Sequence, residues 1–558
     1  GHTTLDDKIY KKGMLDFKQE IENALAALDF INDPEAYEKQ EQLRAMDTTA
    51  DALILFANRH ADRAEELAVK ESDPARRAEL GQIAAVCRRV PAHAPRTFWE
   101  AVQYYWFVHL GVTTELNPWD AFNPGRLDQH LEPFYTKEVA EGTLTREDAQ
   151  ELLQCFWIKF NNQPAPPKVG VTAAESSTYT DFAQINTGGL KEDGSDAVNE
   201  VTYLLLDVIE EMRLLQPSSS VQLSKKNPER FIRRAARIIR TGFGQPSIFN
   251  ADVVVQEMVR QGKTLADARN GGTSGCVETG AFGKENYNLT GYFNLPKILE
   301  LALNDVRDPQ TGKQIGPHSG DPRSFTSYGE LFDAYTKQLN HFIDVKIRGN
   351  QVIERLYAIY LPAPFLSLLI DDCIARGKDY HAGGARYNTS YIQGVGLGTI
   401  SDCLSAIKVH VFEQENFTMA QLLDMLDADF EGFERERRLL LNKTPRYGND
   451  DADADALMVD VFEAYFAAID GRPNTKGGHY RINLLPTTCH VYFGSVIGAT
   501  PDGRFAGKPL SEGISPVQGA DRHGPTAVIQ SAAKMDHTRT GGTLLNQKFT
   551  PQLLAGEE

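Results

Sequence analysis

The chain has 558 residues, 41% hydrophobic and 24% charged, with a formal net charge of −18. That composition fits a soluble globular protein with material for a large core, and its acidic balance excludes nucleic acid as a partner because a phosphate polyanion is repelled. No apolar run reaches ~18 residues, and the start Gly1-His2-Thr3-Thr4-Leu5-Asp6-Asp7 is not a signal peptide, so no membrane partner is expected and a cytoplasmic location is.

The first ~160 residues read as mainly helical. Residues 97–110 are thick with aromatics and read as a buried helix. Thr145-Arg146-Glu147-Asp148 opens another, with a capping-box-like start, running towards Phe160. Gln163-Pro164-Ala165-Pro166-Pro167 stops it. Strand-like pieces then alternate with helices: strands are expected at 183–187, 219–223, 247–250, 390–395 and 489–493, and helices at 199–214 and 228–241. This alternation argues for an α/β sheet or barrel with helices outside. Residues 449–455 read as a solvated acidic turn, since a calcium loop's spaced Gly and terminal Glu are missing. Beyond residue 470 the chain is loop-rich, and Asp502-Gly503 reads as a plain turn.

The most informative run is Gly271-Gly272-Thr273-Ser274-Gly275-Cys276-Val277-Glu278-Thr279-Gly280. Glycine removes bulk, so the backbone turns tightly and a substrate can approach it. In an extended segment i and i+2 share a side, which predicts that Cys276 and Glu278 face one space. A carboxylate neighbour raises a thiol's pKa, so Cys276 is a poor protease-type nucleophile. It is better suited to losing a hydrogen atom while Glu278 handles a proton. The bland alternative is a small buried hydrophobe in a loop. The other cysteines, Cys87, Cys155, Cys373, Cys403 and Cys489, form no Cys-x-x-Cys pair with it or each other. Neither a zinc ribbon nor an iron–sulfur cluster is signalled, and a reducing compartment without disulfides is expected.

Four further motifs accompany that run: Asn123-Pro124-Gly125-Arg126-Leu127-Asp128-Gln129, Gln245-Pro246-Ser247-Ile248-Phe249-Asn250, Gly383-Gly384-Ala385-Arg386-Tyr387-Asn388 and Ala499-Thr500-Pro501-Asp502-Gly503-Arg504. Together they resemble the glycyl radical enzymes of the pyruvate formate-lyase type, in the dehydratase/lyase branch carrying Gly-Cys-Val-Glu. The resemblance implies a barrel of ten strands in two five-stranded half-sheets wrapped by helices, with a central finger loop bearing Cys276. It also implies a homodimer with no bound cofactor or metal, and a radical-SAM activating enzyme as partner. That enzyme installs a glycyl radical near the C-terminus, which then oxidises Cys276. The family's Arg-Val-x-Gly-Tyr stretch is not found here. The expectation is therefore that residues 1–558 form a truncated barrel domain lacking both ends, with the glycine radical domain absent and the fragment inactive by itself.

Substrate choice within the branch depends on the pocket wall. The adjacent Cys-Cys of the pyruvate-cleaving branch is absent. His2, Ser176, Asp181, Phe182, Tyr292 and Thr487 resemble the pocket positions of branch members that dehydrate trans-4-hydroxy-L-proline. On that resemblance Phe182 and Tyr292 are flat walls for a pyrrolidine ring, and His2 and Asp181 are polar contacts to the amine and the leaving hydroxyl. Taken singly, the two aromatics read as core residues and His2 as a disordered chain start; only the joint pattern raises them as pocket positions. The implied mechanism has the Cys276 thiyl take hydrogen from the ring carbon beside nitrogen and Glu278 accept a proton. Water then leaves from C4, and the product is pyrroline-5-carboxylate. The rival readings are a sulfite-lyase acting on isethionate or a related sulfonate, whose pocket should carry Arg and Gln donors, and a diol or choline eliminase. A radical-dead binding scaffold is the rival of another class. A Cys-His hydrolase lacks a local histidine.

Overall fold

The computed structural model describes residues 2–116, 121–163, 173 and 182–554. Strand β1 (His2–Thr4) pairs in parallel with β2 (Ala121–Asn123). Strands β3 (Gln184–Gly188), β4 (Ser218–Leu223) and β5 (Ser247–Asn250) form a parallel sheet, and a bridge between Arg126 and Asn186 joins it to the end of β2. These five strands make one parallel half of the barrel wall. Strands β8 (Glu285–Asn294), β9 (Tyr387–Val395) and β10 (His479–Asn483) are the parallel strands of the other half, extended by a bridge from Leu484 to Thr543. The halves meet antiparallel, with His2 of β1 opposite Tyr287 of β8. An antiparallel hairpin of β6 (Gly272–Ser274) and β7 (Glu278–Gly280) completes the described strands.

The strands alternate in a way that defines inside and outside. Phe122, Ile185 and Val221 belong to one apolar cluster with the surrounding helices, and Ile392, Tyr480 and Ile482 to a second. Their neighbours Asn123, Asn186, Gln222, Thr389 and Gln393 are buried polar residues on the opposite face. Strands of a parallel barrel covered on both faces usually read as continuous apolar runs. Here the inner face is polar, and its amides hydrogen-bond the enclosed β6–β7 hairpin.

The helices start where their caps place them. Thr145 and Asp148 form a capping box for Arg146–Asn161, and Asn199 accepts the Thr202 N–H at the start of Glu200–Met212. The aromatic helix extends further than expected, over Phe98–Glu115.

Two expectations are corrected. Residues 489–493 are not a strand but the start of the helix Cys489–Ser495. The turn before it, with Thr487 at φ 48° and the Cys489 N–H on Pro486 O at 2.7 Å, overrides their strand-like composition. The acidic run 449–455 is not a solvated turn. Asp451 caps the helix Ala452–Ile469, and buried Asp455 accepts Ser531 Oγ at 2.9 Å and Lys534 Nζ at 2.6 Å. Asp502-Gly503 is a turn as expected, but a buried one. The six cysteines are unbonded to one another, and no described helix is long and apolar enough to cross a membrane.

Candidate active site

The β6–β7 hairpin is suspended inside the barrel by amides. Asn123 Nδ2 donates to Ser274 Oγ at 2.7 Å and Thr3 O at 3.0 Å, while its Oδ1 accepts the Gln184 N–H at 2.6 Å. Asn186 Nδ2 donates to Thr273 O at 2.7 Å and its Oδ1 accepts the Thr273 N–H at 3.1 Å. Gln222 reaches both Asn186 and Thr273. One side chain thus ties β1, β3 and the hairpin together. The motif around Asn123 also carries Arg126, which donates to Leu190 O at 2.6 Å and Arg269 O at 2.5 Å, fixing the approach to the hairpin.

Cys276 lies at the tip of this hairpin, in the turn that Gly275 opens at φ 59°. The expected extended alternation is therefore not what brings thiol and carboxylate together. Glu278, the first residue of β7, turns its carboxylate back over the tip, and its Oε2 accepts the N–H of Cys276 at 2.8 Å and of Val277 at 3.0 Å. Cys276 is half-buried at this tip. Burial, and secondarily the Glu278 charge, pushes its thiol well above the ordinary value, so it stays S–H. Burial pushes the Glu278 carboxyl up to about 7 against the opposing pull of the backbone N–H groups. A neutral thiol beside a carboxyl poised at neutral pH suits hydrogen-atom transfer coupled to proton transfer, not thiolate attack.

Two pocket candidates converge here. The Tyr292 hydroxyl bonds Thr487 Oγ1 at 2.5 Å across 195 residues of sequence. Burial and the nearby Cys489, Cys276 and Glu278 push its phenol far above its usual value, so it shares their space. Phe182 is half-buried just before β3. His2 is placed by backbone only, in β1 beside the hairpin's anchor, and its side chain lies outside the described residues, as do Ser176 and Asp181. Sequence reasoning missed Gln393 and Asn483, which stand in register with Tyr292 across β8, β9 and β10. Both are buried. Gln393 Nε2 and both amide atoms of Asn483 make no hydrogen bond among the described residues. Polar residues spaced by two within the strands were the available signal.

The chain's C-terminal part enters the same space. The N–H of Gly541 donates to Ile482 O at 2.7 Å and the N–H of Leu484 to Gly542 O at 3.0 Å. On its other side Gly541 O accepts the Thr279 N–H of β7 at 3.0 Å.

Comparison with known proteins bears on this arrangement. Residues 1–494 match the family described as Pyruvate formate lyase-like, and residues 510–558 match Glycine radical. The second match overturns the expectation that the glycine radical domain is absent, and with it the basis for reading the chain as an inactive fragment. A trans-4-hydroxy-L-proline dehydratase of Clostridioides difficile is 59% identical over 558 residues, covering 100% of this chain and 71% of the relative. An isethionate sulfite-lyase of Desulfovibrio desulfuricans is 35% identical, covering 99% and 67%. The crystal structure of hydroxyproline dehydratase from Clostridioides difficile with trans-4-hydroxy-L-proline bound superposes with a TM-score of 0.98 at 59% identity, over 100% of this chain and 71% of that one.

Proposed function

This chain belongs to the pyruvate formate lyase-like family, and from that membership we propose that it is a glycyl radical dehydratase converting trans-4-hydroxy-L-proline to pyrroline-5-carboxylate and water. The observation that carries the reading is the pairing of a buried S–H and a poised carboxyl on one hairpin tip, in a chain 59% identical to a hydroxyproline dehydratase throughout its length.

A glycyl radical, installed by an activating enzyme, supplies the one-electron oxidation of the Cys276 thiol. The fit is physical: burial keeps that thiol protonated, as a hydrogen-atom carrier requires, and the segment within the glycine radical match lies against its hairpin. Cys276 sulfur takes a hydrogen atom from the ring carbon beside nitrogen. Glu278 accepts a proton from the substrate as the C4 hydroxyl leaves as water, with acid assistance from the side of His2 and Asp181. Cys276 then returns its hydrogen to C4, leaving a carbon–nitrogen double bond, so the substrate loses one water and nothing else. Tyr292 and Phe182 serve as ring walls, with Ser176 and Thr487 as polar contacts. Enclosure by the barrel excludes water and oxygen from the sulfur radical. The functional unit is a homodimer in the cytoplasm.

The test is turnover under anaerobic conditions by the activated protein. Release of pyrroline-5-carboxylate from hydroxyproline is expected, with Phe182→Ala and Asp181→Asn each lowering it while leaving the glycyl radical signal intact. Turnover of isethionate but not hydroxyproline would replace the substrate and keep the radical chemistry.

A further inference from the structure

The finger hairpin is held from two sides by different means. On the β3 side the holding groups are the amides of Asn186 and Gln222. On the β10 side it is the main chain of one segment, joined by the Tyr391 hydroxyl on Thr279 O and the Glu257 carboxylate on Thr279 Oγ1. Gly541 and Gly542 form a strip whose N–H and C=O groups alternate between the barrel wall at Ile482 and Leu484 and the hairpin at Thr279.

That strip is built so closely that neither position admits a side chain. A Cβ at Gly541 would sit 1.9 Å from Tyr391 Cε1, and one at Gly542 would sit 2.1 Å from Val277 O, the carbonyl beside Cys276. Gly542 also has φ 123°, a conformation only glycine adopts easily. Tyr391 cannot swing aside freely. It is fully buried, and its hydroxyl bonds Thr279 O at 3.3 Å and the Gln261 amide at 3.1 Å.

We propose that Gly541 and Gly542 are positioning residues for the radical step: with Tyr391 as a backstop they clamp β7, and so fix where the Cys276 sulfur stands. This rests on the reading of Cys276 as the hydrogen-atom carrier. The strip lies within the glycine radical match, so seating that part of the chain and ordering the finger loop are one event. Hydrogen-atom transfer needs near-contact geometry, and a displacement of ~1 Å costs about 100-fold in rate.

The experiment compares Gly541→Ala, Tyr391→Ala and the double variant. In the protein before activation, amide hydrogen exchange is read over residues 275–280 together with the rate of Cys276 alkylation. Gly541→Ala is expected to speed both while exchange elsewhere stays unchanged. The double variant, in which the new methyl occupies the space the ring leaves, restores protection even if the single variant folds poorly. After activation Gly541→Ala should lower kcat about 100-fold with KM within about 3-fold, and the double variant should recover most of that loss. Unchanged exchange in Gly541→Ala, or a double variant no better protected than the single one, overturns the clamp. The exchange readout involves no substrate. A wrong substrate assignment would show instead as failure of the unmutated protein on hydroxyproline.

Discussion

Glu278 Oε2 accepts the backbone N–H of Cys276 at 2.8 Å. The Glu278 carboxylate is thereby tied to the tip that carries the sulfur, through the N–H groups of Cys276 and Val277. Burial raises both groups, but with different results at neutral pH. The thiol is left fully protonated and the carboxyl divided between its two forms.

A pH–rate limb follows. If Glu278 takes the substrate proton, only its ionised form works, and its carboxyl titrates at about 7. Turnover of hydroxyproline should therefore fall below that pH by about tenfold per unit. Glu278→Gln should lower kcat by about 100-fold or more and remove the limb.

Stability should run the opposite way. Burial raises Glu278 from 4.5 to about 7 and Glu257 from 4.5 to about 8. Between the unfolded and folded values the folded chain binds more protons, so their contribution is fully present at acid pH and is lost as pH rises through 7 to 8. Denaturant melts across that window should show the midpoint falling with pH, and less so in Glu257→Gln.

The amide suspension makes Asn123 the most sensitive single anchor. Asn123→Ala leaves the Gln184 N–H and Ser274 Oγ without this partner in a fully buried setting. Each such loss costs about 1–3 kcal/mol, so equilibrium unfolding should report a total of about 2–6 kcal/mol. Hydrogen exchange should rise first at β1 and the hairpin.

Tyr292→Phe removes the bond to Thr487 and keeps the ring. One neutral hydrogen bond contributes about 0.5–1.5 kcal/mol, so KM for hydroxyproline should rise about 2- to 10-fold with kcat less affected. Tyr292→Ala removes the ring as well and should cost more.

These residues differ in how far the sequence reveals them. The finger loop is legible because glycine density marks a turn and Cys276 and Glu278 are chemically odd neighbours. Strands β3, β4 and β5 are legible from their Ile, Val and Phe. Strands β8 and β10 are not, since Glu285, Asn286, Asn288 and Asn483 look like loop residues until the barrel turns one face towards a polar interior. The helix Cys489–Ser495 is misread for the converse reason: its Cys-His-Val-Tyr-Phe start has strand-like composition, and only the turn at Thr487 sets it otherwise. The Gly541 strip is invisible locally because its partners, Ile482 and Thr279, are distant in sequence.

The central claim, that Cys276 sulfur carries the hydrogen atom, is tested most directly by Cys276→Ser in the activated protein. A glycyl radical signal of unchanged intensity is expected with no detectable pyrroline-5-carboxylate from hydroxyproline, because the O–H bond of serine is too strong to give up its hydrogen in this role. Turnover by Cys276→Ser at a rate comparable to the unmutated protein would contradict it.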